Sequence, residues 1–338
     1  MQIAILAHEK FPERAKTALG VLRYADYDVA AVLDREQAGT RVHDHVPDVQ
    51  DAPIVAGMDD LEEPVDALLI GIAPIGGGFE ESWRPDVRQA LEDGCDVISG
   101  LHYFLTEDEE FAALAAENDC ELRDVRKPHD ELTVSQGVAD EVDAEVILTV
   151  GTDCSGGKMT VSMELARDAR AAGHDAAVIP TGQTGIMIEG WGNPVDRVVS
   201  DFTAGAVEEM ILEKGDEHDY LFVEGQGTIV HPAYSAVTCG ILHGSMADKL
   251  VLCHTAGREA IHGYESFSLP PIETYVDLYE NLAEPVKPTT VAAGALNTHG
   301  IDDEEQARRA LREFEDDLEA PATDVVRFET ERVLDALL

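Results

Sequence analysis

The chain reads Gly151-Thr152-Asp153-Cys154-Ser155-Gly156-Gly157-Lys158-Met159-Thr160 between an apolar run, Ala144 to Val150, and the helical pattern Val161-Ser162-Met163-Glu164-Leu165-Ala166-Arg167. Strand, glycine loop, lysine and helix are the parts of a phosphate cradle. Glycine lets the backbone wrap an anion without Cβ clashes. The helix start aims N–H groups and a partial positive charge at it, and lysine adds a full charge. A phosphate-bearing ligand is therefore expected. The bland alternative is a glycine-rich strand-to-helix turn. Two details depart from the usual pattern. Five residues, not four, separate Gly151 from Gly157-Lys158, and Met159 stands where Ser or Thr normally holds Mg²⁺. Thr160 could supply that hydroxyl only from a shifted first helical turn.

Working outward, the pattern on both sides alternates strands and helices. Before the loop, strands are expected at Gln2–Ala7, Val29–Leu33, Ala67–Ile72 and Asp96–Ser99. Helices are expected at Glu13–Tyr24, Pro85–Glu92 and Asp108–Asn118. This predicts a parallel, doubly wound sheet. Its first β–α turn, Ala7-His8-Glu9-Lys10-Phe11-Pro12, holds no glycine, so the dinucleotide fingerprint is absent. Residues Arg123 to Glu141 are polar and poorly periodic, and the domain boundary is placed there, giving domains 1–135 and 136–338. After the loop, strands are expected at Ala176–Ile179, Tyr220–Val223, Lys249–Cys253 and Thr290–Ala293. Helices are expected at Thr160–Ala172, Thr203–Leu212, Tyr275–Ala283 and Asp303–Leu318, then a short strand and a closing helix.

Ligands of α/β sheets sit at the carboxyl ends of strands, so strand-end loops supply the other candidates. Pro180-Thr181-Gly182-Gln183-Thr184-Gly185 could hold a carboxylate or phosphate through backbone N–H groups; a tight turn is the alternative. Glu224, in Glu224-Gly225-Gln226-Gly227, lies where a Walker-B carboxylate would, able to orient a metal-bound water or act as a base. The alternative is a solvated strand-end acid. His231, Tyr234 and Ser235, with His243 further on, form a polar cluster read as loop. Arg258 suits bidentate binding of a carboxylate or phosphate, against a plain surface ion pair. Asn297 could read a base edge or cap a helix. Cys154, at a helix start, could act as a nucleophile or simply fit the loop.

Composition narrows the setting. Lys and Arg number 24 against 68 Asp and Glu, a net charge of −44, and the acids are scattered along the chain. Such a surface repels itself unless salt screens it, which points to the salt-rich cytoplasm of a halophile. Without a basic stripe, nucleic-acid binding is not expected. The five cysteines are odd in number and form no Cys-x-x-Cys pair, so neither a disulfide framework nor a zinc site is expected. No signal peptide or membrane span is expected.

The loop Gly151-Thr152-Asp153 with Gly157-Lys158, and Glu224-Gly225, resemble the phosphate loop and strand-end Glu-Gly of dethiobiotin synthetase. The wider set is similar to the DgcN-like family, long carried as a domain of unknown function. That set is Gly-Thr-Asp-Cys at 151–154, Gly-Lys-Met-Thr at 157–160, Pro-Thr-Gly-Gln-Thr-Gly at 180–185, Val-Glu-Gly-Gln-Gly at 223–227, and His-Pro-Ala-Tyr-Ser at 231–235. The first half adds Gly71-Ile72-Ala73-Pro74 and Gly76-Gly77-Gly78. The resemblance implies an N-terminal Rossmann-like doubly wound domain plus a C-terminal P-loop NTPase-like α/β domain. It also implies D-glutamate N-acetyltransferase activity, with acetyl-CoA as co-substrate and an acidic amino acid as acceptor. An enolase-class epimerase would be the pathway partner, and a homo-oligomer is expected. On this reading Gly151, Thr152, Asp153, Cys154, Gly157, Lys158, Met159 and Thr160 hold the phosphates of CoA without a metal. Thr181, Gln183, Thr184, Tyr234, Ser235 and Arg258 hold the acceptor, and Glu224 or His231 takes its proton. The alternative is a Mg-ATP-dependent ligase or kinase.

Overall fold

The computed structural model describes residues 1–74 and 77–338; Ile75 and Gly76, within the expected Gly76-Gly77-Gly78 motif, lie outside them. The chain divides into two compact units, 1–128 with 183–194, and 129–182 with 195–338. The first unit's leading segment ends at Pro128, and the unit also takes in a later segment, 183–194.

The first unit opens with β1 (Gln2–Leu6), α1 (Lys16–Tyr24), β2 (Asp28–Leu33), β3 (Ile54–Val55) and β4 (Ala67–Ile70). It continues with α2 (Arg84–Glu92), β5 (Asp96–Ser99), α3 (Glu109–Asn118) and β6 (Leu122–Asp124). All pairings are parallel, in the order β3-β2-β1-β4-β5-β6, the doubly wound Rossmann order. β1 and β4 are apolar throughout their buried positions because helices cover both faces. Gly71, just past β4, lets α1 approach: a Cβ there would lie 2.5 Å from Ile5 Cγ2 and 2.7 Å from Ala18 Cβ. The first β–α turn is held by carboxylates from the end of β2 and from α2. Asp34 Oδ2 accepts from the Phe11 amide at 3.1 Å, and buried His8 pairs through Nε2 with Asp86 at 3.0 Å.

The second unit is built on β7 (Glu145–Gly151), α4 (Lys158–Ala171) and β8 (Ala176–Ile179). The chain then visits the first unit as α5 (Gln183–Glu189) and returns with α6 (Thr203–Lys214), β9 (Tyr220–Val223), α7 (Ser235–Ser245) and β10 (Lys249–Thr255). A hairpin follows, β11 (Ala260–Ile261) with β12 (Tyr264–Ser268), then α8 (Ile272–Ala283), β13 (Thr290–Asn297), α9 (Glu304–Leu318), β14 (Ala322–Thr323) and α10 (Glu331–Leu337). The sheet is parallel, ordered β14-β13-β10-β7-β9-β8. β7 therefore sits centrally, with β9 and β10 on either side, and the carboxyl ends of these three strands lie together.

Two helices fall where the sequence reads as loop. In α7, Gly240 and Gly244 lower helix propensity and hide the pattern. Tertiary packing selects the helix instead: a Cβ at Gly244 would lie 2.4 Å from Ala204 O, and one at Gly240 would lie 2.6 Å from Thr203 Cγ2, both on α6. α5 is only seven residues long and begins inside the loop expected at Pro180–Gly185, taking Gln183, Thr184 and Gly185 into its first turn; its Ile186, Met187 and Ile188 are buried. Among the described residues no helix is long and apolar enough to cross a membrane.

Candidate functional site

The loop from β7 to α4 folds as a cradle. Ser155 and Gly157 have left-handed backbones, with φ of 54° and 93°. This alternation turns successive N–H groups to one side, the geometry of an anion nest. Gly157 is the residue before the first turn of α4, whose opening amides at Lys158, Met159 and Thr160 have no acceptor within the helix. Lys158 is buried, and its Nζ donates to the backbone oxygen of Asp153 at 2.8 Å. A Cβ at Gly151 would come 3.0 Å from that Nζ, so glycine is what lets the lysine cross the loop. Met159, after the lysine, is an apolar buried residue, while Thr160 is half-buried.

The sheet and its helices hold this loop from behind. Thr152 N donates to Cys253 O at 3.0 Å, and Thr152 Oγ1 meets His254 Nδ1 at 2.8 Å. Two tyrosines of α8 reach under the loop: Tyr275 Oη donates to Thr152 O at 2.8 Å and Tyr279 Oη to Gly151 O at 2.7 Å. Burial pushes both phenols up, Tyr279 to about 12, so both stay protonated as donors. On the opposite side Asp153 is the anchor. Its Oδ1 accepts from the Cys154 amide, and its Oδ2 accepts from Arg258 Nη1 and from the His262 amide, each at 2.9 Å. Arg258 Nη1 also donates to Cys154 O. Arg258, read from the sequence as a carboxylate or phosphate binder against a surface ion pair, here braces the loop and ties it to the β11–β12 hairpin.

Glu224 ends β9. Its Oε2 accepts from the amides of Thr181 and Gly182 at 3.2 and 3.1 Å, and Thr181 Oγ1 donates to Glu224 O at 2.7 Å. Gln226 Nε2 adds a bond to Thr181 O. The carboxylate and the Pro180–Gly182 turn therefore fix each other. Gly225 is required next: a Cβ there would lie 1.7 Å from Thr149 O.

His231 is fully buried, and its Nδ1 accepts from the amides of Ala233 and Tyr234 at 3.0 and 3.3 Å. Nδ1 therefore carries the lone pair, and the neutral ring holds its hydrogen on Nε2. Burial lowers its pKa; the Asp153 carboxylate opposes this and the Lys158 ammonium adds to it, so the ring is neutral near pH 7. His231 is thus a donor through Nε2 rather than a ready proton acceptor. Exposed Tyr234 lies tilted beside it, ring centres 4.6 Å apart, and Tyr264 of the hairpin lies at 5.0 Å. Ser235 opens α7.

Asp153, Cys154 and His231 each bring one ligand-type atom within 4.8 Å of the others, the grouping among the described residues spaced to converge on one ion. Both Asp153 oxygens already accept N–H donors, Arg258 among them, which suits loop bracing better than cation binding.

The structure thus gathers the 151–160 loop, Arg258 and His231 around one cradle, and joins Glu224 to Thr181. Gln183 and Thr184 belong to α5 of the first unit, where Thr184 Oγ1 meets Thr17 Oγ1 at 2.9 Å. His243 lies in α7 and bonds Leu282 O, and Asn297 Oδ1 accepts from the His299 amide. Both are structural bonds. Sequence reasoning missed Tyr275, Tyr279, His254 and the hairpin. The tyrosines read as ordinary helix positions, since nothing local says which loop a helix will lie beneath.

Fold and site define a Rossmann-like unit joined to a phosphate-loop unit. Residues 133–334 match the family model described as a domain of unknown function, DUF1611_C, P-loop domain, and residues 35–128 match its N-terminal counterpart, DUF1611_N, Rossmann-like domain. The chain belongs to this family. It is 36% identical over 271 residues, 80% of this chain and 80% of the relative, to a protein of Tritonibacter scottomollicae named D-glutamate N-acetyltransferase. A protein of the same name from a Pseudoalteromonas species is 35% identical over 235 residues, 69% of this chain and 70% of the relative. A crystal structure of a DUF1611 family protein from Anabaena variabilis superposes with a TM-score of 0.94 at 37% identity, covering 99% of this chain and 98% of that one.

Proposed function

We propose that this protein is an N-acetyltransferase that moves the acetyl group of acetyl-CoA to the amine of an acidic amino acid, D-glutamate being the acceptor of choice. The observation that carries the reading at the site is the cradle itself. Left-handed Ser155 and Gly157, the first-turn amides of α4 and buried Lys158 all serve an anion. The names of the relatives at 35% and 36% identity supply the reaction class.

CoA carries phosphates, and these fit the cradle. Lys158 gives up its bond to Asp153 O for a phosphate oxygen, and the α4 amides add their N–H groups. The Nε2–H of His231 is a further donor beside the loop. Arg258 and the two α8 tyrosines keep the loop in shape, which limits the ordering cost of binding. In the transfer the acceptor nitrogen bonds to the acetyl carbon, the C–S bond breaks, and CoA leaves as the thiolate, taking up a proton. The Mg-ATP alternative finds less support, because the residue after the lysine is buried Met159 and offers no oxygen to a cation.

The test is a direct assay at high KCl with acetyl-CoA and D-glutamate, reading both N-acetylglutamate and the released thiol. L-glutamate and Mg-ATP are run in parallel. Product and thiol in equal amounts are expected. ATP consumption with no N-acetyl product from any acidic amino acid would overturn the proposal.

A further inference from the structure

Thr255 closes β10, the strand beside β7. In the register of the two strands Cys253 faces Gly151, so Thr255 lies beyond the end of β7, next to the loop. Its Oγ1 is buried and has no hydrogen-bond partner among the described residues. A Cβ at Gly156 would stand 4.0 Å from this oxygen and 3.9 Å from Cys253 O, so the hydroxyl lies against the floor of the cradle. The residue just before it behaves differently: His254 is paired with Thr152 Oγ1. A buried hydroxyl without a partner is costly, and native chains keep few of them.

We infer that Thr255 brings a hydroxyl from β10 to the cradle and that it donates directly to a phosphate oxygen of the bound ligand. This deepens the acetyl-CoA reading and rests on it for the identity of the ligand. The chemistry recognised is a phosphate or diphosphate ester. The hydroxyl is poised by strand register, so it needs no side-chain ordering when the ligand arrives. Its bond would be to a charged acceptor, the stronger class of hydrogen bond.

Calorimetry with CoA, and separately with inorganic pyrophosphate, both in chelator, tests this on three proteins: parent, Thr255→Val and Thr255→Ser. Thr255→Val should bind either probe about tenfold or more weakly, the loss of one charge-assisted hydrogen bond. Thr255→Ser should stay within about threefold of the parent. Without ligand, Thr255→Val should melt no lower than the parent, because valine removes an unpartnered hydroxyl and keeps the shape. Parental affinity in Thr255→Val for both probes overturns the inference, as does a lower melting temperature in Thr255→Val with unchanged affinity. If the parent binds pyrophosphate but neither binds CoA nor forms N-acetyl product, the acetyl-CoA reading fails, and the pyrophosphate series still decides Thr255. A parent that binds neither probe overturns both.

Discussion

Lys158 Nζ lies 2.8 Å from the backbone oxygen of Asp153, so the cation of the cradle closes the loop on itself. A ligand has to exchange this neutral acceptor for a charged one. With 24 basic residues against 68 acids, the overall field repels an anion, and binding must rest on local donors. Lys158→Ala should weaken CoA binding by one to two decades, from the loss of about 1.5–3 kcal/mol. Melting without ligand should fall modestly, because alanine also removes the bond to Asp153 O. Unaltered affinity by calorimetry would make Gly151–Thr160 a structural turn.

Arg258 and Asp153 form an ion pair in which the carboxylate is buried and the guanidinium partly exposed, at 22%. Arg258→Ala leaves a buried charge with only amide donors. Removing one partner of a fully buried pair costs about 3–5 kcal/mol; with one side solvated, about 2 kcal/mol is expected here. Denaturant unfolding should show this loss, and Arg258→Lys should recover only part of it, since Nη1 serves both Asp153 and Cys154 O. Unchanged stability in Arg258→Ala would show that the brace carries no load.

His231 is expected to act as a neutral donor. His231→Gln keeps an N–H and cannot take a proton, so turnover should stay within about tenfold of the parent, whereas His231→Phe should lose more. A general base would make His231→Gln lose about 10²-fold or more and would abolish the acidic limb of the kcat profile. Steady-state rates across pH separate the two.

His254 has its pKa lowered to about 4 by burial and then by the Arg258 charge. The unfolded ring, near 6.5, binds a proton that the folded ring refuses. Stability is therefore complete above about pH 6.5 and falls as the pH drops toward 4, by on the order of 2 kcal/mol once partial exposure is allowed for. His254→Gln should flatten this slope relative to the parent in chemical denaturation at several pH values. Equal slopes would rule out His254 as the source.

Acids such as Glu304, Glu305, Glu313, Asp316 and Asp317 are exposed on α9. At a net charge of −44, folding should strengthen as salt rises. Melting measured between about 0.1 and 2 M KCl spans screening lengths from about 10 Å to below about 3 Å. A melting temperature indifferent to that range would count against a salt-adapted surface.

Sequence alone determined the elements with local causes. Strands at Ala176–Ile179 and Tyr220–Val223 have the bounds their apolar runs dictate, because a strand covered on both faces must be apolar throughout. The cradle was equally legible, since glycines and a lysine between a strand and a helix are a local arrangement. Only tertiary structure decided that α7 is a helix, because its glycines pay off only against α6. It alone revealed that Arg258 serves Asp153 and that Tyr275 and Tyr279 pin the loop. It alone brought Thr255 to Gly156. These pairings join residues about 40 to 130 positions apart, and no local pattern encodes which distant side chain will fill a given space.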